Sequence, residues 1–191
     1  MNKRAFLLAL ALAGCHPAAP HATPPLAGAA IGGPFALVDQ AGRTVTERSF
    51  AGRYRIMYFG YTFCPDVCPT DAQAIGAGLR LLEGSDPALA ARVVPVFVTV
   101  DPARDTSAVL GRFVVAFHPR FVGLTGSPDA IARTAKEYAV YYSKGAGSSD
   151  GYLVNHSRTA YLMDPDNKPL ALLPTEQGAQ AVADEIRRWA T

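Results

Sequence analysis

Two apolar runs, YRIMYFGY at residues 54–61 and VVPVFVTV at residues 93–100, constrain this chain more than any other feature. Both are short, rich in β-branched and aromatic residues and free of strict alternation, the pattern of a strand buried on both faces of a sheet. Between them Ala72, Ile75, Leu79 and Leu82 recur at helical spacing, and Gly84 stands where a left-handed residue would end the helix. The alternation continues with SAVLGRFVVAF as a helix, RFVGLT as a strand and SPDAIARTAKEYA as a helix with Ser127 as N-cap and Pro128 in its first turn. PFALVDQAGRTVTERSF reads as an N-terminal hairpin turning at Asp39–Gly42. RTAYLMD and PLALL read as a C-terminal hairpin, and EQGAQAVADEIRRWA as a closing helix. KGAGSSDG reads as a loop. The expected fold is α/β, a mixed sheet flanked by helices, with a hairpin near the start and a hairpin plus helix at the end.

The N-terminal residues have a different character. Lys3 and Arg4 precede an apolar run, Ala5 to Ala13, that at nine residues is too short to span a bilayer. This is the layout of an export signal. Leu12-Ala13-Gly14-Cys15 resembles the lipobox of bacterial lipoproteins, which implies cleavage before Cys15 and a lipid on its sulfur. Residues 16–30 hold four prolines among small residues and suit an extended tether, in which His16 and His21 are solvated. The expected organisation is therefore a signal at 1–14, a membrane tether at 15–31 and one folded domain at 32–191. The formal charge of +2 is carried by the signal's two basic residues, so the domain is neutral and shows no nucleic-acid footprint.

Only three cysteines occur, and Cys64 and Cys68 sit together in YFGYTFCPDVCPTD, directly after an expected strand and before an expected helix. That spacing sets their Cα atoms about one helical turn apart, roughly 6 Å, so they can form a disulfide or share one ion. A thiol at a helix N-terminus is acidified by the macrodipole, while Asp66 between the two opposes this. A structural bridge is normal in an exported protein, yet closing a loop of about five residues would contribute only about 2 kcal/mol. Two thiolates leave a metal site incomplete. His118, at an expected helix end, reads as a capping or packed imidazole; His156, beyond the glycine-rich segment in GYLVNHSRTAYLMD, is the candidate third donor. Two sulfurs and an imidazole suit copper, whereas structural zinc wants a fourth ligand.

FGYTFCPDVCPT, VFVTVDPARDT, GLTGSP with YYSK, and NHSRTAYLMDP together resemble the Sco/SenC family of copper-binding proteins, in order and approximate spacing, over essentially all of residues 32–191. The resemblance implies a thioredoxin-like fold and Cys64, Cys68 and His156 as copper ligands, with copper as Cu(I), Cu(II) or both. It also implies a metallochaperone on the periplasmic side of a bacterial envelope, serving the dinuclear copper centre of cytochrome c oxidase subunit II. Other periplasmic copper carriers or thiol reductants would be further partners. Asp101 matches a family acid near the site. Asn155 departs from the family, which typically has Asp before the histidine, and removes a carboxylate that could orient the imidazole. The alternative role is a thiol–disulfide oxidoreductase that reduces the oxidase cysteines, with Cys64 attacking, Cys68 resolving and His156 assisting proton transfer. Three intervening residues, where thioredoxin-type reductases use two, favour copper.

Overall fold

A computed structural model describes residues 22–148 and 151–190. Cys15, His16 and His21 lie outside them. In chain order the elements are β1 (Ala36–Asp39), β2 (Thr44–Thr46), β3 (Tyr54–Gly60), α1 (Val67–Ser85), α2 (Pro87–Arg92), β4 (Val93–Thr99) and α3 (Ser107–Phe117). There follow β5 (Val122–Thr125), α4 (Pro128–Glu137), β6 (Tyr142–Ser148), β7 (Gly151–His156), β8 (Ala160–Met163), β9 (Pro169–Leu172) and α5 (Ala179–Trp189).

Seven strands form one sheet in the order β2-β1-β5-β4-β3-β8-β9, with β3, β4 and β5 parallel and the outer pairs antiparallel. Every residue of β3 and β4 is buried, as their unbroken apolar character requires. Their register, Tyr54 opposite Val93 through Gly60 opposite Thr99, brings the two following loops side by side at one end of the sheet, where Val100 N–H donates to the Gly60 carbonyl at 2.8 Å. The expected hairpins are present as β1–β2 and β8–β9, and Ser127 caps α4 by accepting from Ala130 N–H. Two glycines of α1 admit close neighbours: a Cβ at Gly76 would meet the Phe117 carbonyl oxygen at 2.6 Å, and one at Gly78 would meet Val182 at 2.9 Å.

Three expectations are revised. Gly84 does not end α1, which runs to Ser85; Asp86 then caps the short α2 with its carboxylate, accepting from Leu89 N–H. KGAGSSDG is not a plain loop, because most of it belongs to the antiparallel pair β6–β7, in which Tyr142 faces His156 and Lys144 faces Val154. Leu26 and Ile31, expected in the tether, pack against the core, and Leu26 N–H donates to the Leu170 carbonyl at 3.0 Å.

Candidate metal centre

β3 ends at Gly60, and the chain turns through Tyr61–Asp66 into α1. Buried Asp105, from the loop after β4, holds this turn by accepting from Thr62 N–H at 3.0 Å and Thr62 Oγ1 at 2.6 Å. Cys64 lies half-buried on the turn and Cys68 buried in the first turn of α1; both are free thiols. Gly60 leaves room for the second sulfur, since a Cβ there would lie 2.9 Å from Cys68 Sγ.

The two thiols differ in acidity. Burial pushes Cys64 up, but N–H groups of Cys68 and Asp66, the Cys68 side chain and Val67 N–H outweigh it, so the thiol sits below its ordinary value. Asp66 therefore contributes a backbone donor that favours the thiolate. Cys68 is pushed well above the ordinary value, first by burial and further by the neighbouring Cys64.

His156 is the last residue of β7, and its Nε2 lies 3.2 Å from Cys68 Sγ. Its Nδ1 is 3.0 Å from the Ser157 carbonyl oxygen, which can only accept, so Nδ1 carries the proton and Nε2 turns a lone pair toward the sulfur. Burial holds the ring below the usual histidine value, against opposing pulls from the Ser157 carbonyl and Asp71, which favours the neutral, metal-binding form. Tyr61 stands edge-on to the imidazole at 5.8 Å. The ligand atoms of Cys64, Cys68 and His156 all lie within 4.8 Å of one another, the only such group of three or more His, Cys, Asp or Glu residues among the described residues.

Asp101 is not in that group. It is buried, accepts from Tyr152 Oη at 2.8 Å and pairs with Arg104 Nε, so it ties β7 to the loop after β4. The Arg104 guanidinium lies 3.7 Å from the Tyr152 ring centroid, with Phe63 and Tyr61 at 4.8 and 5.6 Å. Asn155 is exposed on the opposite face of β7 from half-buried His156, so the imidazole takes its orientation from the Ser157 carbonyl instead of a preceding side chain. His118 is a packed C-cap of α3, 3.4 Å from Glu83 and accepting from Arg120 N–H.

Sequence reasoning missed a second pairing beside the centre. Fully buried Asp71 accepts from Arg158 Nε at 2.8 Å, from Arg158 Nη2 at 2.6 Å and from Tyr58 Oη at 2.9 Å. A signal existed: Asp71 is three residues beyond Cys68 on one helix face, and Arg158 is two beyond His156 on one face of an extended segment.

Known proteins resemble this chain over most of its length. The family model described as SCO1/SenC matches residues 23–191. The mitochondrial SCO2 homolog of Bos taurus is 42% identical over 162 residues, covering 84% of this chain and 60% of that protein. SenC of Rhodobacter capsulatus is 41% identical over 162 residues, covering 84% and 71% respectively. The crystal structure of Arabidopsis thaliana ScoI with copper bound superposes with a TM-score of 0.77 at 38% identity, over 83% of this chain and 97% of that one. The chain spans about half to three fifths of the length of the mitochondrial relatives it matches.

Proposed function

The chain belongs to the SCO1/SenC family, and from that premise we propose that it is a copper metallochaperone holding its cargo through Cys64, Cys68 and His156. The observation that carries this reading is the convergence of two sulfurs and one oriented imidazole nitrogen within 4.8 Å. Their chemistry suits copper, being soft and offering too few ligands for a closed structural zinc site. Copper is bound in the related ScoI structures of Arabidopsis thaliana and Bradyrhizobium japonicum. The recipient would be the dinuclear copper centre of cytochrome c oxidase subunit II. Among the described residues no helix is long and apolar enough to cross a membrane; a lipid on Cys15 would hold the domain at the periplasmic face of a bacterial membrane.

The chain, reduced and without oxygen, should take up one copper per molecule. Cys64→Ser and Cys68→Ser should each abolish uptake, and His156→Ala should weaken it while leaving the thermal unfolding transition in place. Retention of copper by all three variants would remove the reading.

The acidity difference between the thiols favours a second role. The Cys64 thiolate could attack a partner disulfide and form a mixed disulfide. Cys68 would then give its proton to His156 Nε2 and attack Cys64 Sγ, leaving this chain oxidised and the partner a dithiol. The partner's disulfide is the oxidant and the Cys64–Cys68 pair the reductant. Single turnover against a model disulfide, with trapping of the mixed disulfide by Cys68→Ser, tests this role separately from copper uptake.

A further inference from the structure

We propose that Arg158 is a positioning residue for the third donor: its pairing with Asp71 holds His156 at the distance from Cys68 at which both can serve one ion. The inference rests on the ligand reading above and adds a residue to it.

Two facing elements are joined by two rungs. One runs from Cys68 Sγ to His156 Nε2 at 3.2 Å, the other from the Asp71 carboxylate to the Arg158 guanidinium at 2.6 and 2.8 Å. On α1 the two anchors are three residues apart, nearly one turn; on the extended segment they are two apart and share a face. Ser157 between them points elsewhere: its N–H donates to the Tyr141 carbonyl and its Oγ accepts from Tyr141 N–H. Residues 157–159 belong to neither a strand nor a helix, and the main-chain bonds beside them, the β6–β7 pairing at His156 and the Ser157 N–H to Tyr141, tie the segment to β6, leaving its reach toward the sulfurs of α1 to side chains.

The second rung is built to be rigid. A fork of two N–H donors on two carboxylate oxygens fixes direction as well as distance, which a single contact does not. Asp71 is wholly buried, and Tyr58 Oη donates to its Oδ2 from β3. Arg158 is the cation that pairs with it and is itself 39% exposed. The carboxylate is thus fixed from the core, and the arginine is the side that brings in the histidine segment. Groups that orient a ligand in this way typically shift metal affinity by about 10–100-fold.

A purely structural ion pair makes a different prediction, so the test crosses Arg158→Met with His156→Ala in the full chain, reduced and anaerobic. Copper affinity is read by competition with a chelator. Arg158→Met should weaken copper about tenfold when His156 is present and have no further effect when it is Ala. Arg158→Lys should recover part of the loss, because one ammonium can hold one carboxylate oxygen but cannot form the fork. Arg158→Met/Asp71→Asn, which leaves no unpaired buried charge, should fold and show the same weakening. In the metal-free chain, imidazole nitrogen chemical shifts should report a single Nδ1–H tautomer for His156 and a tautomer mixture in Arg158→Met.

Equal losses in both His156 backgrounds, or unchanged affinity with unchanged imidazole shifts, would overturn the inference. If His156→Ala weakens copper and Arg158→Met does not, the positioning role alone fails. If His156→Ala binds as tightly as the parent, the ligand reading fails and takes this inference with it.

Discussion

At Gly60 the absence of a side chain is a requirement of the centre: an added Cβ would lie 2.9 Å from Cys68 Sγ, 3.0 Å from Tyr58 and 3.2 Å from Phe97. None of these can retreat freely, because Cys68, Tyr58 and Phe97 are all fully buried. Gly60→Ala should therefore cost about 1–3 kcal/mol of stability in urea unfolding and also lower copper affinity, because the sulfur is the displaced atom. Acidity offers a second check. Burial holds His118 and His156 below the ordinary histidine value, against Glu83 in one case and against the Ser157 carbonyl and Asp71 in the other. The unfolded chain takes up protons near pH ~6.5 that the folded rings resist, so this stability is full above that pH and lost as pH falls toward the folded values. The urea midpoint of the metal-free chain should drop accordingly, and His118→Gln should flatten the drop. Comparing the two profiles isolates that ring from Asp105, whose burial-raised carboxyl works in the opposite sense. Cys64, Cys68 and His156 were legible in the sequence because residue type and context mark them. Asp71 and Arg158 were not, because an acid and an arginine mark no chemistry by type, and their spacing from Cys68 and His156 points to a pair only once the fold has set those two face to face.

Among the elements, β7 carries the most consequence for its size. Its face toward the protein presents Tyr152, Val154 and His156, and Tyr152 is held by the Asp101 carboxylate and by two cations, Arg104 at 3.7 Å and Lys144 at 3.8 Å from the ring centroid. Tyr152→Phe keeps the ring and removes the hydroxyl. It should cost about 1–2 kcal/mol, the range of a hydrogen bond to a charged acceptor on a partly exposed side chain. Faster amide exchange should appear in residues 142–148 and 151–156, with β3 and β4 unchanged; uniform acceleration through the central sheet would contradict a local clasp. The buried strands and amphipathic helices were legible because burial writes itself as periodicity. The β6–β7 pair was not: Lys144 to Gly151 holds glycine, one alanine and polar residues, with no alternating apolar face, and what orders the pair is tertiary, chiefly Tyr152 against Asp101 and Arg104. Gly84 misled for the related reason that an open helix surface tolerates glycine, with nothing within 4 Å of its added Cβ.

Across the whole molecule, the packing of Leu26 and Ile31 places the start of the cooperative unit before Gly32. Removal of residues 1–22 should leave the urea midpoint nearly unchanged. Removal of residues 1–31 should cost about 2 kcal/mol, the value of two half-buried aliphatic side chains. Equal midpoints for the two truncations would refute the contribution of that segment. The upstream chain meets the domain at Leu170 on the outermost strand β9, which lies beside Met163, itself opposite Arg55 near the beginning of β3. Cys68 packs at the other end of that strand, against Gly60, roughly 15 Å away along the sheet. The segment before β1 thus joins the rim of the sheet at one pole, while the sulfurs occupy the other. A molecule that docks over the sulfurs would therefore meet a face that the segment before β1 does not cross, with the two points of contact separated by the width of the sheet.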